Sequence, residues 1–336
     1  MENKDMFDNE WEQDTAPENE IKQIRKSIRK RNWKIVFMSV LLAAAVLLGS
    51  VYVVIPAAES RYWNPGISEH GDKFATDLEL ALWAYGRVFC PRMNIADVTY
   101  KRTGFATYDL TISHWDSAIG GRVDYALATM TRGKLELPEG FFWTTSANLF
   151  ERGSYPVYTM EEKEKLGQRE TLESLPEYID LEVAVSFPED LDMAQLLAFV
   201  QEWEEARIIW VGIRNAPENQ QLYPLTGMAP FIGGYVRDCV NDNYPCFDIG
   251  YSNITAGDLE QHFVSLLTFL KDQEDAGRGV GYTNGIDYYG NVLSYIEEGG
   301  VKTYGCMIVG PASMFLEMLD SGVASQVWIQ DAWIDA

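Results

Sequence analysis

Hydrophobic and polar positions along the chain fall into three regimes. Residues 1–34 mix charges with few apolar side chains. Ile35 to Ile55 hold no charged residue, and the remainder alternates short apolar runs with polar breaks. The middle run is dominated by Ile, Val, Leu and Ala. As a helix rising about 1.5 Å per residue it would reach roughly 30 Å, the thickness of a hydrocarbon core. A secretory apolar region is shorter, about 7–15 residues, and follows a brief basic stretch instead of a long head. Ala57 and Ala58, beside Pro56, make a poor cleavage site. A buried core helix keeps polar punctuation that this run lacks. The pattern predicts one transmembrane helix over 35–55.

Beyond that span the pattern is mixed. The spacing of "KFATDLELALWAYGRVF" predicts an amphipathic helix from Phe74 to Phe89, weakened near its end by Gly86. "DVTYKRTGFATYDLTIS" and "RVDYALATMTRGKLEL" carry β-branched and aromatic residues in partial alternation broken by Gly, the mark of strands and turns. The charged "MEEKEKLGQRETLESLPEY" is a solvated helix or a linker, and sets a soft boundary near residue 170. "YIDLEVAVSF" is a strand stopped by Pro188, and Leu191, Ala194, Leu197 and Ala198 follow at helical spacing. "RIIWVGI" is short and apolar enough for a buried strand. Thr255-x-x-Asp258 resembles a capping box opening a helix, with Leu259, Phe263, Leu266 and Leu270 on one face. "NGIDYYGNVLSYIEE" predicts a helix and "VKTYGCMIVGP" a strand. "PASMFLEMLDSG" is a helix closed by Gly322, and "SQVWIQDAWI" a last strand. Strand, Pro, helix, strand thus occurs twice, around Pro188 and Pro311, which is read as ordinary α/β grammar. The expected fold is an α+β or α/β ectodomain behind a single transmembrane helix. Its parts are residues 1–34, the span 35–55, an α+β region 56–170 and a final domain 171–336.

Charge adds orientation. Lys22, Arg25, Lys26, Arg29, Lys30, Arg31 and Lys34 precede the span, and Arg61 follows it closely. Basic residues this near a span stay on the cytoplasmic side, so the amino terminus is expected inside. Arg29, Lys30, Arg31, Trp33 and Lys34 form the inner membrane flank, with Tyr52 near the other end. The first 34 residues are neutral overall, so the net charge of −23 lies beyond them. So acidic a region should avoid nucleic acid and anionic lipid, and no direct nucleic-acid partner is expected. All four cysteines follow the span. Cys239 and Cys246 bracket the turn-like "CVNDNYPC", which suits a disulfide, while Cys90 and Cys306 are expected as small buried hydrophobes.

Candidate chemistry is sparse. The three histidines, His70, His114 and His262, form no H-E-x-x-H or spaced metal pair. Neither G-x-S-x-G nor a phosphate-cradling glycine loop occurs. His70 near Asp72 is read as an exposed turn before a metal fragment, and His262 as a surface or satisfied helix residue. "GRGVGYTNGIDYYGN" sets Tyr282, Tyr288 and Tyr289 among glycines, a mix able to stack on sugars but explained more simply by core tyrosines beside a loop. No catalytic residue, metal site or cofactor is expected.

Two stretches, "YIDLEVAVSFPEDLDMAQLLAFVQEWEEARIIWVGI" and "GVKTYGCMIVGPASMFLEMLDSGVASQVWIQDAWI", resemble the sigma factor regulator carboxy-terminal domain. That domain occurs in single-pass anti-sigma proteins of low-GC Gram-positive bacteria. The basic approach, the span and "SRYWNP" are similar to the companion amino-terminal domain of those proteins. The resemblance implies a membrane-bound anti-sigma factor, not an enzyme. Its cytoplasmic segment would hold an extracytoplasmic-function sigma factor, and its ectodomain would answer envelope stress, with or without a second membrane regulator. A tethered receptor for cell-wall or glycan fragments is the alternative, and a tethered hydrolase a weaker one.

Within the head, Phe7 and Trp11 lie at i,i+4 on an acidic peptide, and Ile21, Ile24 and Ile28 form an apolar stripe on a basic helix. Such a stripe suits a partner's groove, here the implied sigma factor, or equally the inner leaflet. Phe7 and Trp11 are sigma anchors or part of a disordered tail. The head holds neither His nor Cys, which excludes a zinc-binding module there.

Overall fold

A stretch without helix breakers from Ile21 to Leu48 continues unbroken from the basic head into the apolar span, and the backbone follows it. The computed structural model describes residues 18–70, 75–120, 123–142, 149–151, 160–217, 225–229, 243–249, 253–280 and 287–334. Its first element is α1 (Glu18–Gly49), followed by a π-helical turn (Ser50–Val54) and the short α2 (Ile55–Glu59). Pro56 lies at the start of α2. It has no N–H and its ring crowds the carbonyl one turn back, and the wider π turn falls where that fault must be absorbed. The helix from Asn19 to Glu59 is long and apolar enough to cross a membrane, with a mean hydropathy of 2.5 in its apolar window. The chain divides into this unit, Met1–Arg61, and a second, Tyr62–Ala336.

The second unit is α+β. Thr76 caps α3 (Asp77–Phe89) by accepting from the Glu79 N–H, and all thirteen residues of that helix are buried. A helix buried all round must sit inside a fold. One side faces a four-stranded antiparallel meander, β1 (Met93–Gly104), β2 (Thr107–Asp116), β3 (Val123–Thr131) and β4 (Lys134–Glu136). Gly86 does not weaken α3; a side chain there would meet the Met93 carbonyl at 3.3 Å, so glycine lets helix and strand approach closely. The meander turns its alternate residues Tyr108, Leu110, Ile112, Ala128 and Met130 inward to the core. A two-residue turn with Arg132 and Gly133 both at positive φ joins β3 to β4, the primed geometry that matches strand twist.

The charged stretch after the meander is the helix α4 (Glu162–Ser174), solvated except at Leu172. The second sheet follows: β5 (Ile179–Asp192), α5 (Met193–Glu202), β6 (Arg207–Ile213) and β7 (Thr226–Met228). Then come α6 (Ala256–Asp275), α7 (Tyr288–Gly299), β8 (Lys302–Pro311), α8 (Ala312–Asp320) and β9 (Gln326–Ile334). The sheet order is β7-β6-β8-β5-β9, every pair antiparallel. The crossovers β5-α5-β6 and β8-α8-β9 interleave so that β5 and β8 pair at the centre, the split β-α-β arrangement. The recurrence around Pro188 and Pro311 is therefore two matching crossovers of one sheet. Both faces are covered. Leu181, Val183, Val185, Ile208 and Ile308 join the main core, whereas Ala184, Ile209, Trp210, Tyr304 and Val309 pack in a second cluster with Phe150.

Two local expectations need correction. Pro188 does not stop its strand: β5 runs on to Asp192, and the proline falls in the irregular stretch between Ser186 and Leu191, where its missing N–H breaks no ladder bond. The inward face of α5 is Met193, Leu196 and Phe199. Leu191 belongs to the strand, and Ala194 and Ala198 are exposed. A capping box between Asp192 and Gln195 starts the helix two residues later than the spacing implied.

Candidate functional site

The first unit offers a surface on a helix. Ile21, Ile24 and Ile28 all lie in α1 at spacings that set them on one face, 40%, 56% and 47% exposed, with Lys22, Arg25, Lys26 and Arg29 interleaved. Trp33 and Lys34 continue the same helix into the apolar span, and Trp33 is 68% exposed. The basic flank Arg29, Lys30, Arg31 and Lys34 thus sits on the last two helical turns before the apolar run. Phe7 and Trp11 lie outside the described residues, as does Cys239. Cys246 is half-buried, its Sγ 3.8 Å from Asp258 Oδ1.

Among the described residues of the second unit, two gatherings of titratable groups stand out. At the first, the buried Asp77 accepts from the backbone N–H groups of Glu69 and His70 at 3.1 and 3.0 Å, and His70 Nδ1 lies 3.2 Å from its other oxygen. Glu69, His70 and Asp77 bring three ligand-type atoms within 4.8 Å of one another. Arg278 already occupies the cation's place, 3.0 Å from Glu69 and 3.5 Å from Asp77, and its guanidinium holds the Glu69 carboxyl below its usual range. His70 is not the exposed turn expected: its ring packs edge-on to Phe269 and Tyr244 at 5.8 and 5.9 Å. Asp72 lies outside the described residues.

The second place is the seam between the sheets. Arg92, just before β1, meets Asp116 of β2, Glu182 of β5 and Asp331 of β9 at 2.6, 3.1 and 3.1 Å. Burial raises the Glu182 carboxyl to about 7, Asp116 and Asp331 push it the same way, and Arg92 opposes them. A cleft of about 330 Å³ beside it is lined by Cys90, Arg92, Met93, His114, Trp115, Asp116 and Asp124. Cysteine, histidine and aspartate share that cleft, but burial pushes the Cys90 thiol well up, the reverse of what a thiolate nucleophile needs. Cys90 and Cys306 are both buried, as small apolar side chains are.

The remaining candidates are core residues. Tyr288 and Tyr289 are buried at 4% and 1% exposure, and Tyr288 takes part in a hydrogen bond with Asn215 Nδ2 at 3.1 Å. They are closed to a stacking sugar, and Tyr282 lies outside the described residues. His262 is fully inside, its Nδ1 2.9 Å from the Cys246 carbonyl, and burial lowers it to about 4. The seam escaped sequence reading because its four members are scattered from residue 92 to 331. A Glu inside the apolar run "LEVAV" is a signal that could have pointed to it.

Residues 172–327 match the family model described as Sigma factor regulator C-terminal. The match runs from the end of α4 through the whole second sheet into β9. No curated protein and no solved structure matches the chain.

Proposed function

We propose that this chain is a single-pass anti-sigma factor of the cell membrane. Residues 1–34 face the cytoplasm and hold an extracytoplasmic-function sigma factor; Tyr62–Ala336 lies outside and governs its release under envelope stress. The observation that carries this reading is the sigma factor regulator match over 172–327 in a chain with a 41-residue helix near its amino end. The basic flank supports the orientation, because such residues resist translocation. Compartment logic supports the division of labour. A sigma factor is cytosolic, and the head is the cytosolic surface this orientation leaves. The burial of Tyr288 and Tyr289 weakens the alternative of a sugar-stacking receptor.

Phe7 and Trp11 are the proposed anchors, seconded by the stripe Ile21, Ile24 and Ile28, because desolvated aromatics at hot spots contribute about 2 kcal/mol or more each. The test is affinity capture of the full chain from native membranes, read by mass spectrometry for a co-purifying sigma factor. Replacing Phe7 and Trp11 together by Ala should cut capture by at least tenfold and raise transcription of the sigma factor's targets, at unchanged membrane levels of the chain. Capture that survives in the double variant but fails in I21A/I24A/I28A moves the contact to the stripe. If the wild-type chain captures no sigma factor, and deleting residues 2–33 leaves transcription untouched, the anti-sigma reading is wrong.

A further inference from the structure

Among the described residues, the carboxylates that meet at the seam outnumber the one guanidinium, Arg92, that pairs with them. Asp116 takes two contacts from Arg92, at 2.9 Å from Nε and 2.6 Å from Nη2, and Asp331 accepts a hydrogen bond from Nη1 at 3.1 Å. Glu182 Oε2 stands 3.1 Å from the same Nη1 but receives no directed hydrogen bond among the described residues. Its side chain is 2% exposed, against 33% for Asp116 and 46% for Asp331. The seam carboxylate most shut away from water is thus the one with an oxygen that no directed donor reaches among the described residues, and an ionised group in that position is costly. Glu182 sits directly opposite Asp331 in the β5–β9 register, at a step where β9 carries the extra residue Gln330. Val309 of β8, its other cross-strand neighbour, brings no charge. Arg207 of β6 lies one strand further on the same face, but its guanidinium donates to the Ala118 carbonyl. Asp180, two residues along β5, adds negative charge on that face, and His114 and Asp124 line the neighbouring cleft.

We propose that this seam is a proton-operated latch. A proton on Glu182 closes it; loss of that proton favours a state in which the carboxylate reaches water and the residue 92 end of the meander parts from β5 and β9. The sign follows from linkage. The closed seam holds Glu182 at about 7, against an ordinary 4.5 once hydrated, so the closed state binds the proton more tightly. Acid therefore closes the latch, and opening rises about 70-fold between pH 5 and pH 8. The latch lies within Tyr62–Ala336 and does not depend on what the head binds.

The test is hydrogen exchange on the full chain in detergent micelles from pH 5 to pH 8, corrected for the intrinsic pH dependence of exchange. Amides of residues 93–95, 180–184 and 329–333 should lose protection by tens of fold across that range, relative to amides of α8. E182Q carries a permanent stand-in for the protonated form and should stay closed with a flat profile. D331N, at an exposed position, should shift the transition to lower pH by removing a neighbouring charge. Carbon-13 NMR of the Glu182 carboxyl should show a midpoint near 7, and that reading survives even where E182Q fails to fold. A Glu182 midpoint in the ordinary carboxylate range overturns the latch. So does seam protection independent of pH, or a pH dependence that persists in E182Q.

Discussion

Three glycines stand side by side across the second sheet: Gly227 of β7 opposite Gly212 of β6, and Gly212 opposite Gly305 of β8. The missing side chains leave a trough filled by aromatic rings. A Cβ on Gly212 would come within 2.6 Å of the Tyr304 ring, one on Gly227 within 2.1 Å of Trp210, and one on Gly305 within 2.8 Å of Phe150. Trp210, Tyr304 and Phe150 are all at most 2% exposed, so none can swing into solvent. Gly212→Ala should therefore destabilise the second unit by roughly 1–3 kcal/mol, the usual result of overpacking a filled core. Thermal denaturation of the full chain should show a midpoint several degrees lower, and an unchanged midpoint would mean that the trough has slack. The segments "WVGI" and "YGCMIVGP" carry two of these glycines, yet their purpose was not legible in the sequence. It arises from cross-strand register, which brings together residues 93 positions apart. Core tyrosines at 288 and 289 were legible, because a helical apolar pattern surrounded them. His70 was misread because the rings it packs against, Tyr244 and Phe269, come from a distant part of the chain.

At the scale of elements, periodicity served best where a helix carried its own start signal. α6 begins at the Thr255–Asp258 capping box and buries Leu259, Phe263, Leu266 and Leu270, the face its spacing predicts. α5 was placed two residues early for lack of weight on Asp192, and its phase was lost with its start. The span was the clearest element of all, since 21 uncharged residues leave no alternative to a long apolar helix. Its direction rests on the flanks. Seven basic residues crowd the helix ahead of Ile35, and Arg61 alone follows closely, the asymmetry on which the proposed cytoplasmic amino terminus rests. A periplasmic-type or secreted-enzyme reporter fused after Ala336 should be active, and a cytoplasmic fluorescent or β-galactosidase reporter at the same place silent. Replacing Arg29, Lys30, Arg31 and Lys34 by Gln should produce a mixed population. A cytoplasmic reporter that works after Ala336 in the unaltered chain would reverse the orientation and remove the head from the sigma factor's compartment.

At the scale of the whole molecule, the buried His262 and Glu182 set opposite pH slopes. His262 has no partner on Nε2 among the described residues and is lowered from 6.5 to about 4 by burial. A lowered histidine means that the folded state resists the proton, so its share of stability is lost as pH falls from 6.5 through 4. Glu182 is raised from 4.5 to about 7. A raised carboxyl means that the folded state welcomes the proton, so its share is gained as pH falls from 7 through 4.5. Each shift corresponds to roughly 3 kcal/mol over its full window, at about 1.4 kcal/mol per pH unit. Between pH 6.5 and 4.5 the windows overlap and the slopes nearly cancel. Chemical denaturation of the full chain in micelles should therefore give a nearly level stability across that interval. E182Q removes one slope and leaves the other, so the variant should lose roughly 2 kcal/mol in all on acidification from pH 6.5 to 4.5. The seam and the α6 histidine lie on different elements, with no shared hydrogen bond, and contributions from separate sites add. A wild-type profile already as steep as that of E182Q would show that Glu182 is ionised throughout the interval. The buried carboxylate would then be a fixed charge held by Arg92, and the two sheets would be joined by a permanent ion pair.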